Sequence, residues 1–276
     1  MYALSLAICL LAEPKITKDI VYQTIAGQEM KLDLYQPEVP ALKPTPLVIV
    51  IHGGAWMAGN RSDMAALCEG IAKNGMAAAT VSYRLAPKAK WPAMLDDVQS
   101  AVRYMRANSD KYDIDPTRIG ATGASAGGHL SLLLGLRDTR DTATTFYPKE
   151  SSRVKVVFNI FGPYDLSQDF DPGISNLLCF QILGKPLAES ADAIRDFSPS
   201  TSMTKGVIPI FTLHGDADKT VPVKQSQRLD ERMKELGGIH EMVIIPGMGH
   251  NIDQKNTKVM EAVQKGVDFL KKFLTQ

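Results

Sequence analysis

The sequence predicts an α/β fold in which a mostly parallel sheet has helices on both faces. Continuous apolar runs such as residues 47–51 (LVIVI) are typical of strands buried on both faces. Apolar residues at helical spacing follow such runs, and the two patterns alternate along most of the chain. Repeated strand–helix units of this kind place their strands in parallel.

The elements follow in order. Residues 20–25 and 30–34, around Ala26-Gly27, are predicted to form a leading hairpin at the antiparallel edge of the sheet. Further strands are predicted at residues 47–51, 76–81, 119–122, 154–160, 208–213 and 242–245. Helices are predicted within residues 63–74, 92–105, 126–136 and 259–274. Residues 162–206 contain no clear strand pattern and are predicted to be a small cap insertion.

Composition excludes several classes of protein. The 276 residues include 31 Lys plus Arg against 30 Asp plus Glu, a net charge of +1. This balance argues against a nucleic-acid binder or a polybasic membrane-surface protein. Three cysteines are too few for a disulfide framework. We expect one domain over residues 20–276, preceded by a tail over residues 1–19.

The tail begins with an apolar run, residues 2–12, that is too short to span a bilayer. It resembles the apolar part of a secretory signal, but it lacks preceding basic residues and a good cleavage site. We interpret it as an N-terminal tail or a residual signal segment. A signal remnant would indicate a secreted or periplasmic protein, and otherwise a cytoplasmic location is expected. No other stretch predicts a membrane span.

A serine motif lies between a predicted strand and a predicted helix. GASAG (residues 123–127) fits G-x-S-x-G, and the strand–turn–helix context makes the match specific. Such a turn holds its serine in a strained backbone conformation with the hydroxyl above the sheet. The motif therefore indicates that Ser125 is a nucleophile rather than an ordinary helix cap.

Three further segments supply groups that such a nucleophile needs. HGGAW (residues 52–56) follows a buried strand, and its glycines let backbone N–H groups approach a ligand. Asp216 and Asp218 follow the predicted strand at 208–213, and His250 follows the next predicted strand. The carboxyl ends of these strands meet at one sheet edge. A serine needs a histidine base, and the histidine needs a carboxylate, but either aspartate fits this pattern.

Together these motifs resemble the α/β-hydrolase superfamily of serine carboxylesterases, near its hormone-sensitive-lipase-like and feruloyl-esterase-like (BD-FAE-type) branches. The resemblance extends from LDLY (residues 32–35) to His250. It implies an α/β-hydrolase fold with a catalytic triad of Ser125, Asp218 and His250. The family pattern HGxxDxxVP favours Asp218 over Asp216.

The resemblance also implies an oxyanion hole formed by the amides of Gly53, Gly54 and Ala126. Ala55 is a departure, because the lipase-like branch commonly has HGGG at this place. Its methyl group puts activity on esters of bulky alcohols in doubt. Weaker candidates for lining a substrate pocket are Trp56, Trp91 and Phe180, for which packing is an equal alternative.

The implied activity is hydrolysis of small-molecule esters with short to medium acyl groups through an acyl-enzyme. Alternatives are a carbohydrate-ester esterase (acetyl xylan or feruloyl esterase), an arylformamidase-like amidase, or an inactive hydrolase fold used as a binding module. No cofactor is expected, and the histidines lack metal-binding spacing such as H-E-x-x-H. His52 and His214 are expected to make structural hydrogen bonds. A homodimer is compatible with the family, but no surface is indicated.

Overall fold

The computed structural model describes residues 13–139 and 146–276. In this part of the chain eight strands form one sheet in the order β1-β2-β4-β3-β5-β6-β7-β8. The strands are β1 (Lys15–Ile25), β2 (Gln28–Gln36), β3 (Thr45–Ile51), β4 (Ala77–Val81), β5 (Ile114–Ala124), β6 (Val157–Ile160), β7 (Ile210–Gly215) and β8 (His240–Ile245). The β1–β2 and β2–β4 pairs are antiparallel and the other pairs are parallel, which confirms the predicted sheet.

Helices cover both faces of this sheet. They are α1 (Ala65–Lys73), α2 (Ala93–Ala107), α3 (Ser109–Tyr112), α4 (Ala126–Leu136), α5 (Pro172–Leu178), α6 (Ala191–Phe197), α7 (Lys224–Leu236) and α8 (Thr257–Leu274). Helices α2, α4 and α7 contribute to the core on one face. Helices α1 and α8 contribute to the core on the other. None of the helices in the described residues is long and apolar enough to cross a membrane.

Strand β3 shows why a continuous apolar run predicts a central strand. Leu47, Ile49 and Ile51 belong to the core on one face, and Val48 and Val50 belong to the core on the other. All five side chains are fully buried. Because side chains alternate between the two faces of a strand, a strand covered on both sides needs apolar residues at every position.

The sheet begins earlier than predicted. β1 starts at Lys15, and its pairing with β2 runs from Lys15 opposite Gln36 to Ile25 opposite Gln28. β1 therefore begins before residue 20, the predicted start of the domain, and residues 15–19 belong to the sheet. Their side chains are mostly exposed at this edge, so no buried apolar pattern marks the start of the strand. Residues 1–12 of the predicted tail lie outside the described residues.

The predicted cap region, residues 162–206, folds into short helices rather than strands. It contains α5 and α6, the 3₁₀ turns Leu187–Glu189 and Pro199–Ser202, and a π turn at Cys179–Leu183. Ile182, Ile194 and Phe197 from this segment are buried in the same core as α4. The segment thus packs on the face that carries the serine motif, and its role as a cap stays a prediction.

Two helical glycines provide a matched test of how closely α1 and α8 pack on the sheet. A Cβ atom on Gly266 of α8 would lie 2.5 Å from Phe158 Cε1, whereas one on Gly70 of α1 would have nothing within 4 Å. We expect Gly266→Ala to lower the free energy of unfolding by about 1–3 kcal/mol through overpacking. Gly70→Ala should instead raise it by about 0.5–1 kcal/mol. Urea unfolding measures both, and equal effects would contradict the described packing of α8.

Candidate active site

Ser125 lies on a tight turn between β5 and α4. Its backbone has φ 57° and ψ −121°, a strained positive-φ conformation for a residue other than glycine. Its amide donates to the Ile160 carbonyl at 2.9 Å. A Cβ on Gly123 would lie 2.5 Å from the Ile51 carbonyl oxygen, and one on Gly127 would collide with the same oxygen. Close packing of this glycine-flanked turn against β3 and β6 therefore holds Ser125 in its strained conformation.

His250 connects Ser125 to a carboxylate. It lies on the loop after β8, with Nε2 2.8 Å from Ser125 Oγ and Nδ1 2.7 Å from Asp218 Oδ2. An ionised carboxylate only accepts hydrogen bonds, so Nδ1 carries the hydrogen and Nε2 can accept from the serine hydroxyl. The Phe161 ring packs against the imidazole, with 4.6 Å between the ring centroids. This arrangement allows His250 to take up the serine proton.

The Asp218 carboxylate is buried and surrounded by donors. Its Oδ1 accepts from the amides of Thr220 at 2.8 Å and Val221 at 2.9 Å. Burial alone would raise the pKa of Asp218. The N–H groups of His214 and His250 and the Val221 amide outweigh that effect and hold the pKa well below its usual value. Asp218 is therefore ionised at neutral pH.

The structure distinguishes the two candidate aspartates. Asp216 is exposed, and its Oδ1 accepts from the Gly247 amide at 2.6 Å. It thus ties the turn after β7 to the loop that leads to His250. The structure brings Asp218, and not Asp216, into contact with the imidazole.

The HGGAW segment passes directly beside the serine. A Cβ atom on Gly53 would lie 3.4 Å from Ser125 Cβ. His52 Nδ1 lies 2.8 Å from the Gly53 carbonyl oxygen and donates to it, and the His52 ring stacks on Tyr83 with centroids 4.3 Å apart. The peptide bond between Gly53 and Gly54 is trans. The Gly54 N–H therefore points away from the Gly53 carbonyl, which accepts from His52. Gly54 itself has φ 106°, which glycine adopts without strain.

Comparison with known proteins identifies the chain. A sequence model of the BD-FAE family matches residues 32–233, which include Ser125 and Asp218. The chain belongs to the BD-FAE family. It is 31% identical to esterase LipC of Mycobacterium tuberculosis over 80% of this chain and 57% of that protein. It is 26% identical to the isoprenylcysteine alpha-carbonyl methylesterase ICME of Arabidopsis thaliana over 80% of this chain and 53% of that protein. The chain thus spans little more than half the length of these curated relatives.

Two solved structures resemble this BD-FAE member over nearly its whole length. A truncated carbohydrate esterase from gut microbiota superposes with a TM-score of 0.82 at 28% identity, covering 96% of this chain and 98% of that one. The propionate-bound esterase Est2 of Thermogutta terrifontis superposes with a TM-score of 0.77 at 25% identity, covering 95% and 94%. The α/β-hydrolase fold implied by the sequence motifs is therefore confirmed.

The predicted pocket residues of this BD-FAE chain fall into two groups. Trp56 is buried against His129 and Phe197, with ring centroids 5.0 and 4.8 Å away. Trp91 also packs on Phe197, at 4.7 Å. Phe180, in contrast, is 61% exposed. A substrate-lining role for these residues stays a prediction. Among the described residues, no group of three or more His, Cys, Asp or Glu side chains could hold a metal ion.

The two aspartates can be compared directly through the reactivity of Ser125. We expect Asp218→Asn to lower the rate of covalent labelling by a fluorophosphonate about 10³-fold or more, because His250 loses its correct tautomer. Asp216→Asn keeps an oxygen for the Gly247 amide and should stay within about threefold of the wild type. Mass spectrometry over time measures both rates. Loss of labelling in the Asp216 variant alone would contradict this assignment.

His129, on the helix that follows Ser125, gives a prediction about pH. Burial lowers its pKa to about 3, and its Nε2 donates to the Phe197 carbonyl at 2.7 Å. An unfolded chain takes up this proton below about pH 6.5 while the folded protein does not, so stability falls as the pH drops through that value. His129→Gln retains a donor but does not titrate.

We therefore expect the wild type to lose about 2 kcal/mol more of its free energy of unfolding than His129→Gln between about pH 7.5 and 5. Urea unfolding at the two pH values measures the difference. An identical pH dependence in the two proteins would show that His129 is not held neutral by burial.

Proposed function

We propose that the protein is a serine-dependent carboxylic ester hydrolase that acts on short to medium acyl esters through an acyl-enzyme. The observation that supports this most strongly is the hydrogen-bonded chain from Ser125 to His250 to Asp218, with distances of 2.8 and 2.7 Å. A serine hydroxyl is a weak nucleophile unless an oriented base removes its proton. The relatives named as esterases support the same chemistry.

Acylation begins when Ser125 Oγ attacks the ester carbonyl carbon and His250 Nε2 takes the hydroxyl proton. The carbonyl π electrons move to oxygen, and the amides of Gly53, Gly54 and Ala126 donate to this oxyanion. The placement of Gly53 beside Ser125 and the turned peptide of Gly54 support this role. The intermediate then collapses, the bond to the alkoxy oxygen breaks, and His250 gives its proton to the departing alcohol.

Deacylation repeats these steps with water. His250 takes a proton from a water molecule while the water oxygen attacks the acyl carbon. The same amides stabilise the second oxyanion. The bond to Ser125 Oγ then breaks, His250 returns a proton to the serine, and the acid leaves. Asp218 keeps Nδ1 protonated and stabilises the positive imidazolium that forms in both halves of the reaction.

A second candidate function is hydrolysis of carbohydrate esters such as acetylated or feruloylated polysaccharide. It is supported by the likeness to the gut-microbiota carbohydrate esterase. The propionate-bound Est2 structure supports a short acyl group. The two functions share the acyl-enzyme chemistry and differ in the ester that is bound, so the same triad would perform both.

The test is hydrolysis of p-nitrophenyl esters from acetate to dodecanoate, measured beside two serine variants. We expect turnover of the shorter esters, and Ser125→Ala should lower kcat at least about 10³-fold. Ser131→Ala is the matched control, because this serine lies in α4 and its hydroxyl donates to the Gly127 carbonyl at 2.8 Å. It should stay within about threefold of the wild type.

Equal turnover by the wild type and Ser125→Ala would contradict the proposal. Absence of turnover, together with absence of fluorophosphonate labelling, would favour an inactive fold that serves as a binding module. Release of acetate or ferulate from plant polysaccharide at a higher kcat/KM than from the p-nitrophenyl esters would favour the second candidate. Preferential turnover of N-formyl aryl amides would favour the amidase alternative.

A further inference from the structure

A second histidine contacts the carboxylate of the proposed triad. His214 is the penultimate residue of β7 and its side chain is completely buried. It takes no part in the proposed proton transfers between Ser125, His250 and water. A buried imidazole must satisfy both ring nitrogens within the protein, so the partners of His214 determine which nitrogen carries hydrogen.

The surroundings of His214 favour one tautomer. Nε2 lies 2.9 Å from the Val221 carbonyl oxygen and 3.3 Å from Asp218 Oδ2. Both partners are acceptors, so Nε2 carries a hydrogen, which it donates to Val221 while making the longer contact with the carboxylate. Nδ1 lies 2.6 Å from the hydroxyl oxygen of Ser226, which is itself buried. The hydroxyl can donate to Nδ1 and so leave the ring neutral.

These contacts place two histidines on one carboxylate oxygen. Asp218 Oδ2 receives His250 Nδ1 at 2.7 Å and lies 3.3 Å from His214 Nε2. The other oxygen is held by two backbone amides. His214 also fixes Val221, whose amide is one of those two donors. It thus constrains the carboxylate directly and through the turn that carries it.

We propose that His214 is a positioning residue for Asp218, held by Ser226 as a neutral Nε2–H donor. A neutral donor fixes the carboxylate oxygen without cancelling its charge. The full negative charge stays available for the His250 imidazolium, whereas an arginine or lysine at this place would neutralise it. The inference rests on the proposed function, since its effect is exerted on the ester hydrolysis that Asp218 supports.

Two substitutions separate positioning from mere packing. His214→Asn places an amide near the Nδ1 position and loses the donor toward Asp218, whereas His214→Gln can place an N–H near the Nε2 position. We expect His214→Asn to lower kcat about tenfold, the usual effect of losing a hydrogen bond to a charged group, with KM unchanged. His214→Gln should recover to within about threefold of the wild-type kcat.

His240 offers a matched control. It is also a buried histidine beside an aspartate, with Nδ1 2.9 Å from Asp230 Oδ1, but it lies at the opposite end of its strand from the catalytic loop. His240→Asn should lower the thermal midpoint by about as much as His214→Asn and leave kcat unchanged. Equal kcat values for the wild type and His214→Asn, or equal losses in the Asn and Gln variants, would overturn the proposal.

A measurement on the wild type covers the case in which the variants do not fold. The ¹⁵N shifts of the His214 ring report its tautomer and charge without any need for activity. We expect hydrogen on Nε2 and none on Nδ1, and hydrogen on Nδ1 alone or on both ring nitrogens would overturn the proposal. An inactive wild type with the expected tautomer would count against the ester hydrolase function rather than against the contact geometry.

Discussion

The hydrogen bond between Asp218 and His250, 2.7 Å long, links the sheet to the chemistry at Ser125. A carboxylate removed from water loses several kcal/mol of hydration, so it needs donors fixed in place. Here two backbone amides and two histidines surround it. Each hydrogen bond to a charged group contributes about 1.5–3 kcal/mol, which is enough to keep the carboxylate ionised. An ionised Asp218 in turn fixes the tautomer with which His250 can accept a proton.

The sheet explains why residues so far apart in the chain meet. Strands β5, β6, β7 and β8 are neighbours and run in parallel. Their carboxyl ends therefore share one edge, which receives Ser125 after β5, Phe161 after β6, Asp218 after β7 and His250 after β8. Glycines at the serine turn let it pack against the carbonyl of Ile51 at the end of β3. The same close approach places Gly53 beside the nucleophile.

Local sequence patterns were sufficient for the central part of this fold. The apolar run of β3 and the serine motif between β5 and α4 each encode a local conformation that tertiary contacts reinforce. Helix α7 was not predicted, because its buried positions include the polar Gln225 and Ser226 and only two apolar residues, Leu229 and Met233. These polar side chains are buried since they bond to distant groups, such as the Tyr164 amide and His214.

The candidate site, like the fold, could be predicted only in part from the sequence. Motif spacing indicated the serine and the histidine and left Asp216 and Asp218 both open. The family resemblance favoured Asp218, and the structure places Asp218 at the imidazole and Asp216 at the Gly247 amide. The contact of Phe197 with Trp56 joins elements that are far apart in the sequence. The contact of His214 with Asp218, four residues further on, depends on how the turn after β7 folds back toward the strand. The glycine after His214 indicated only the end of a strand. The contact of His214 with the Asp218 carboxylate could therefore not be predicted from the sequence.

The proposed mechanism requires that Ser125 becomes covalently acylated during turnover. The most direct measurement is rapid acid quenching during hydrolysis of p-nitrophenyl acetate, followed by peptide mapping by mass spectrometry. We expect one acetyl group on the peptide that contains Ser125, present during turnover and lost once substrate is exhausted. Steady product formation with no acetyl group on Ser125, or with the group on another residue, would contradict it.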